Sequence, residues 1–144
     1  MTTKQYLGQI DRYNKIISNK LSEIYQLKSL ACSISVSADN EKIQTSSDKD
    51  RLGAAVAKIV DLENEINSTI DSFLEKRGKI IMQIDSMESV IYYQVLFSRY
   101  IEQETFEKIA EETEYSLRQI LRIHGRALSE FEKLYGAEYL QLCH

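Results

Sequence analysis

Two apolar stripes constrain this chain more than any other feature. The first runs Tyr6, Ile10, Tyr13, Ile17, Lys20, Ile24, Leu27, Ala31, and its steps alternate between four and three residues. The second runs Leu52, Val56, Ile59, Glu63, Ile66, Ile70, Phe73, Arg77, Ile80, Ile84 with the same alternation. Such spacing keeps one face of a helix against a neighbour over many turns, as in a coiled-coil seam. No proline and only five glycines interrupt the chain, so the helices have little to break them. The reading is all-α.

Set antiparallel, the stripes register with Ala31 facing Leu52, Leu27 facing Val56, Ile24 facing Ile59, and Ile10 facing Phe73. The charge within the first stripe, Lys20, then falls opposite Glu63, and Arg77 falls over the ring of Tyr6. A charge in an apolar seam strongly prefers an opposite charge across it. An antiparallel helical hairpin is therefore expected over residues 1–84, with a seam of roughly 35–40 Å at about 1.5 Å per residue. Between the stripes, residues 33–50 are rich in Ser, Asp and Lys without a sustained period. They read as a mobile loop ending at a helix start near Ser47. Ile80 and Ile84 outrun the first helix and need another partner. Val60, Leu74 and Ile81 flank the second stripe, as Leu7, Ile16, Leu21 and Leu30 flank the first, and a two-helix hairpin cannot bury them all. Self-association into a four-helix arrangement would bury them, and folding back onto the C-terminal domain would also do; Val60, Leu74 and Ile81 are read as the homodimer interface, with the next domain carried at the hairpin's base.

Residues 85–144 form that second domain. Asp85 and Glu88 have capping-box spacing, so a supporting helix is expected from about Ser86 through SMESVIYYQVLFSRYI. Its Tyr92, Tyr93 and Phe97 are core side chains before they are a stacking platform for bases. The stretch 105–128, TFEKIAEETEYSLRQILRIHGRAL, reads as two short helices joined by a tight turn. Phe106, Ile109 and Ala110 give the first an inner face, and Ile120, Ile123, Ala127 and Leu128 the second. Ser116 with Gln119 is a capping box at the start of the second. Arg118, Gln119, Arg122 and Arg126 are left outside, and no acidic residue occurs over positions 116–129. A short helix followed by a capped, cationic one is the arrangement of a helix-turn-helix DNA reader. Phe131, Leu134 and Tyr135 extend the packing face, with Gly136 as its expected cap.

This stretch resembles region 4 of bacterial sigma factors. Thr105, Glu107, Ile109, Ala110, Glu111, Ser116, Ile120, Ile123, Arg126, Ala127 and Leu128 fall at matching positions without a gap. The whole chain is similar, more loosely, to the sigma-region-4-like transcriptional regulators of Gram-positive phages of the ArpU and RinA type. The resemblance implies a helical N-terminal part before a DNA-binding motif, double-stranded DNA as partner, and RNA polymerase as a second one. In such a reader Arg118 and Arg122 reach base edges, Lys108, Gln119 and Arg126 hold phosphates, and Ser116 sits at the DNA-facing helix start. Three positions depart from the pattern: Thr113 stands for Leu, Glu114 for a Gly expected at positive φ, and Leu121 for a basic residue.

The charge balance pulls the other way. The net charge is −4, and over positions 99–144 nine acids outnumber six bases, although the acids crowd the first helix and the bases the second. Local potential at the docking face matters most for DNA, and the overall charge tempers non-specific affinity. Weak binding by one copy is expected, with a second copy or polymerase supplying the rest. The alternative is a coiled-coil interaction module whose helix-turn-helix no longer binds DNA. No nucleophile motif, phosphate-cradling glycine loop or metal-ligand cluster occurs, so neither enzyme activity nor a cofactor is expected. His124 reads as partly solvated. Cys32 and Cys143 have no partner spacing, Cys143-His144 makes no metal site, and no apolar run reaches the ~20 residues of a membrane span, so a cytoplasmic protein is expected.

Overall fold

Every element among the described residues is a helix, in a computed structural model that describes residues 1–40 and 46–140, with side chains for 1–34 and 49–140. In order these are α1 (Thr3–Leu7), α2 (Gln9–Asn40), α3 (Ser46–Asp85), α4 (Val90–Leu96), a π-helical turn (Phe97–Ile101), α5 (Phe106–Thr113) and α6 (Leu117–Tyr139). The loop expected over 33–50 is helical up to Asn40 and again from Ser46; the remaining five positions lie outside the described residues. Without proline or glycine, Ser, Asp and Asn each cost a helix only about 0.7 kcal/mol or less relative to Ala, too little to end it.

The chain divides into two compact units, Asn14–Ser72 and Met1–Tyr13 with Phe73–His144. These differ from the expected division at residue 84, because the chain's first turns pack with its last helix. In the Asn14–Ser72 unit, α2 and α3 run antiparallel. Ile24 clusters with Ile59, Leu62 and Ile66, flanked by Leu27 and Ile70. The pairing differs in detail from the expected register. Lys20 Nζ meets Glu65 Oε2 at 2.7 Å, while Glu63 turns outward to Lys28 at 3.4 Å. Leu62 takes the seam position assigned to Glu63, and Ala55 the one assigned to Val56. Burying a leucine contributes about 1.5–3 kcal/mol, whereas an exposed ion pair contributes about 1 kcal/mol at most. The seam follows the leucine.

The other unit is built round Tyr6, Leu7, Ile10, Ile80, Ile84, Leu96, Phe131 and Tyr139. Ile80 and Ile84 find here the partner that the first helix could not supply. A capping box between Thr2 and Gln5 starts α1. At Gly8 the chain closes so tightly that a Cβ would stand 2.9 Å from the carbonyl of Lys4, so glycine is required there. Tyr6 does not meet Arg77. It stacks on Tyr139 with centroids 4.3 Å apart, and its hydroxyl donates to Gln83 Oε1 at 2.7 Å. Gln83 in turn donates to Glu138, which pairs with Lys79. Thr3 Oγ1 and Tyr139 OH share a 2.8 Å hydrogen bond. The expected Gly136 cap is absent: α6 runs through it to Tyr139, with Gly136 buried, because Phe131 and Tyr139 still have core to fill. Leu134, assigned to the packing face, is exposed.

The bend after α3 also differs from expectation. Met87 is buried in it, and the helix start is Ser89, whose side chain accepts from Tyr92 N, rather than Asp85 with Glu88. Burial of Met87 pulls the chain past the earlier cap before helix resumes. α4 then widens into the π turn, where Glu102 N reaches back to the carbonyl of Phe97. Ser98, fully buried there, accepts from Gln94.

Candidate nucleic-acid interface

Three helices assemble the face. Val95 of α4, Ile109 and Ala110 of α5 and Ile120 of α6 are buried together, with Ile91, Phe106 and Ile123 packed round them. The entry to α5 is held from the π turn. Arg99 donates to the carbonyl of Glu104 at 3.0 Å, and its guanidinium lies 4.3 Å from the ring centroid of Phe106. Gln103 takes up positive φ in this corner. Thr105 then caps α5 by accepting from Lys108 N at 3.2 Å.

The turn between α5 and α6 has the positive φ that the sigma resemblance implies at position 114, here on a residue other than glycine. Glu114 ends α5 in the left-handed region at φ 62°, ψ 19°. Thr113, standing where the sigma pattern has Leu, sends its hydroxyl to the carbonyl of Ile109 at 2.6 Å. Ser116 caps α6 by accepting from Gln119 N, and Gln119 Oε1 accepts from Ser116 N, completing the box. Two orphan amides at the helix start are satisfied this way.

Burial of Ile120, His124, Ala127 and Phe131 fixes which side of α6 faces solvent. Arg118, Gln119, Arg122 and Arg126 are exposed. The three arginines recur every four residues, about 6 Å apart along the axis at ~1.5 Å per residue. None of them forms an ion pair among the described residues. Free guanidiniums at hydrogen-bonding reach are suited to phosphate oxygens and to the O6 and N7 edge of guanine. Gln119 offers its amide N–H groups to DNA, its oxygen already accepting from Ser116 N.

Lys108 differs from its assigned part. It stands on α5 with Glu104 Oε1 at 3.5 Å and Glu112 Oε1 at 3.9 Å. Hydrogen bonding to Glu104 holds the Glu112 carboxyl above its usual range, aided by desolvation and the Glu104 charge and opposed by Lys108. Its cation is thus largely matched before any phosphate arrives.

His124 is buried rather than partly solvated. Its Nε2 and the Tyr100 hydroxyl share a 2.7 Å hydrogen bond, and Phe106 meets its ring edge-on at 4.8 Å. Burial, with Lys4 and Arg99 adding to it, pushes the imidazole down to about 4, and burial pushes Tyr100 up to about 12. Both are neutral at physiological pH and serve as packing. Sequence spacing alone put His124 at the rim of the apolar face; the aromatic rings of Tyr100 and Phe106 complete its cover.

Leu121, the departure from a basic residue, is exposed beside the arginines; Leu117, exposed one turn before it, and Tyr115 in the turn had no part assigned from sequence. Of the expected dimer residues, Val60 and Leu74 are exposed and Ile81 is half-buried. Among the described residues no three His, Cys, Asp or Glu side chains gather to hold a metal ion, and no helix is long and apolar enough to cross a membrane. Cys143 and His144 lie outside the described residues. Compared with models of protein families, with characterised proteins and with solved structures, the chain has no match.

Proposed function

We propose that this chain is a DNA-binding transcriptional regulator of the sigma-region-4-like phage type, reading duplex DNA with the outer face of α6. The observation that carries the reading is the row of unpaired Arg118, Arg122 and Arg126 on a helix whose capped start follows a left-handed turn. Recognition helices contact base edges with their N-terminal residues, which gives Arg118 and Arg122 the bases and Arg126 a phosphate. With so few phosphate contacts, binding by one copy is weak and strongly salt-dependent. A second copy raises it by high effective concentration. Exposed Leu21, Tyr25, Val56, Val60 and Leu74 favour self-association. Fluorescence anisotropy on labelled duplexes from the promoters of the chain's own genome, at low and moderate salt, tests the reading. Saturable binding that the Arg118, Arg122, Arg126 triple alanine variant loses is expected; no wild-type binding at low salt refutes it.

A second reading has its own observation. Leu117, Leu121 and Tyr115 form an apolar edge beside the arginines, and Lys108 is already matched by carboxylates. Both favour a face that docks on protein, RNA polymerase first among candidates. Binding to purified polymerase without DNA, lost in Leu121→Glu, would favour it.

A further inference from the structure

We propose that an open cleft between α4 and the middle of α6 is a phosphate site. It would extend the DNA contact along one strand's backbone, and it rests on the DNA-binding reading above. The cleft is about 390 Å³ in volume. Arg122, Arg126 and Lys133 line it, with one carboxylate, Glu130, among them. Tyr92 stands on the α4 side, and Ser129 adds a second hydroxyl. Three cations and two hydroxyls against one acid make a donor-rich, net-positive surface suited to phosphate oxygens. None of its charged groups forms an ion pair among the described residues.

The shape favours a polyanion over a single small anion. Positions 126, 129 and 133 lie on one stripe of α6 that climbs about 10 Å at ~1.5 Å per residue, continuing from the base-reading Arg122 at its edge. One DNA strand carries a phosphate every ~3.4 Å along its axis, so a row of this length meets several. Gly125 leaves the floor open: a Cβ built on it meets nothing within 4 Å. Packing does not require glycine there, yet the helix gives up propensity for it. An open backbone lets a bulky strand approach closely between the two arginines.

Gly125 also provides the test. A side chain there stands in the cleft without clashing, and any residue better than glycine in a helix keeps the fold, which circular dichroism checks. Anisotropy of the full chain on a short labelled duplex is measured across a salt series. Gly125→Glu is expected to weaken binding about tenfold or more relative to Gly125→Gln, the same length without the charge. Lys133→Gln should weaken binding on related and unrelated sequences alike and lower the slope of log K against log salt by about 0.9. Glu130→Gln should tighten binding, a change no folding defect produces. If Gly125→Glu binds like Gly125→Gln and Lys133→Gln keeps the slope, while Arg118→Ala still weakens binding, the cleft is no phosphate site and the DNA reading survives. A wild-type chain that binds no duplex at low salt overturns both.

Discussion

Acid should loosen the grip on α6 through His124. The ring is 6% exposed, bonded to Tyr100 and capped edge-on by Phe106. Its pKa falls from the usual 6.5 to about 4, chiefly through burial, with Lys4 and Arg99 adding in the same direction. The unfolded chain therefore takes up this proton before the folded one does. Stability from His124 is complete above about pH 6.5 and is lost as pH falls through about 4. At ~1.36 kcal/mol per pH unit the ceiling is roughly 3 kcal/mol, and residual contact with water brings the expectation to about 2 kcal/mol. The assay is urea unfolding followed by circular dichroism at about pH 7 and about pH 4.5. Carboxylates titrate in the same range, so His124→Gln, which cannot ionise but can still bond Tyr100, is the reference. The wild type should lose about 2 kcal/mol more than the variant on acidification. Equal losses in both would refute the idea that burial of a neutral imidazole stabilises this corner.

Three further outcomes follow from the geometry. Glu114→Gly should stabilise the fold by about 0.5 kcal/mol, because relief of ~1 kcal/mol or more of left-handed strain exceeds glycine's extra entropy in the unfolded chain; thermal melts decide it, and destabilisation would contradict a left-handed backbone at Glu114. Leu62→Ala should cost about 2–4 kcal/mol while Val56→Ala, at a half-exposed position, costs under about 1 kcal/mol; chemical denaturation giving the reverse order would restore the register with Glu63 in the seam. Arg122→Ala should relax base preference and cost about 1–3 kcal/mol of DNA affinity, whereas Lys108→Ala, already matched by Glu104 and Glu112, should change affinity little; competition binding with related and unrelated duplexes separates the two.

Signals acting within one or two turns were legible in the sequence. The capping box of Ser116 and Gln119 and the apolar faces of α5 and α6 follow from neighbours at most four residues away, whereas the left-handed Glu114 was legible only through the sigma resemblance. The four-and-three spacing of the apolar stripes also pointed to helix, and every described element is helical. What it left open was which of two adjacent residues a helix would bury. Leu62 and Glu63 are separated by a rotation too small for periodicity to resolve, and Asp85 and Ser89 offered two helix starts one turn apart. Tertiary packing decided them, since apolar area removed from water contributes about 25 cal/mol per Å² and outweighs exposed ion pairs. The stacking of Tyr6 on Tyr139 and the cover over His124 join elements distant in the chain. Their partners are named only once the helices have been brought together, because burial and charge pairing depend on distance in space.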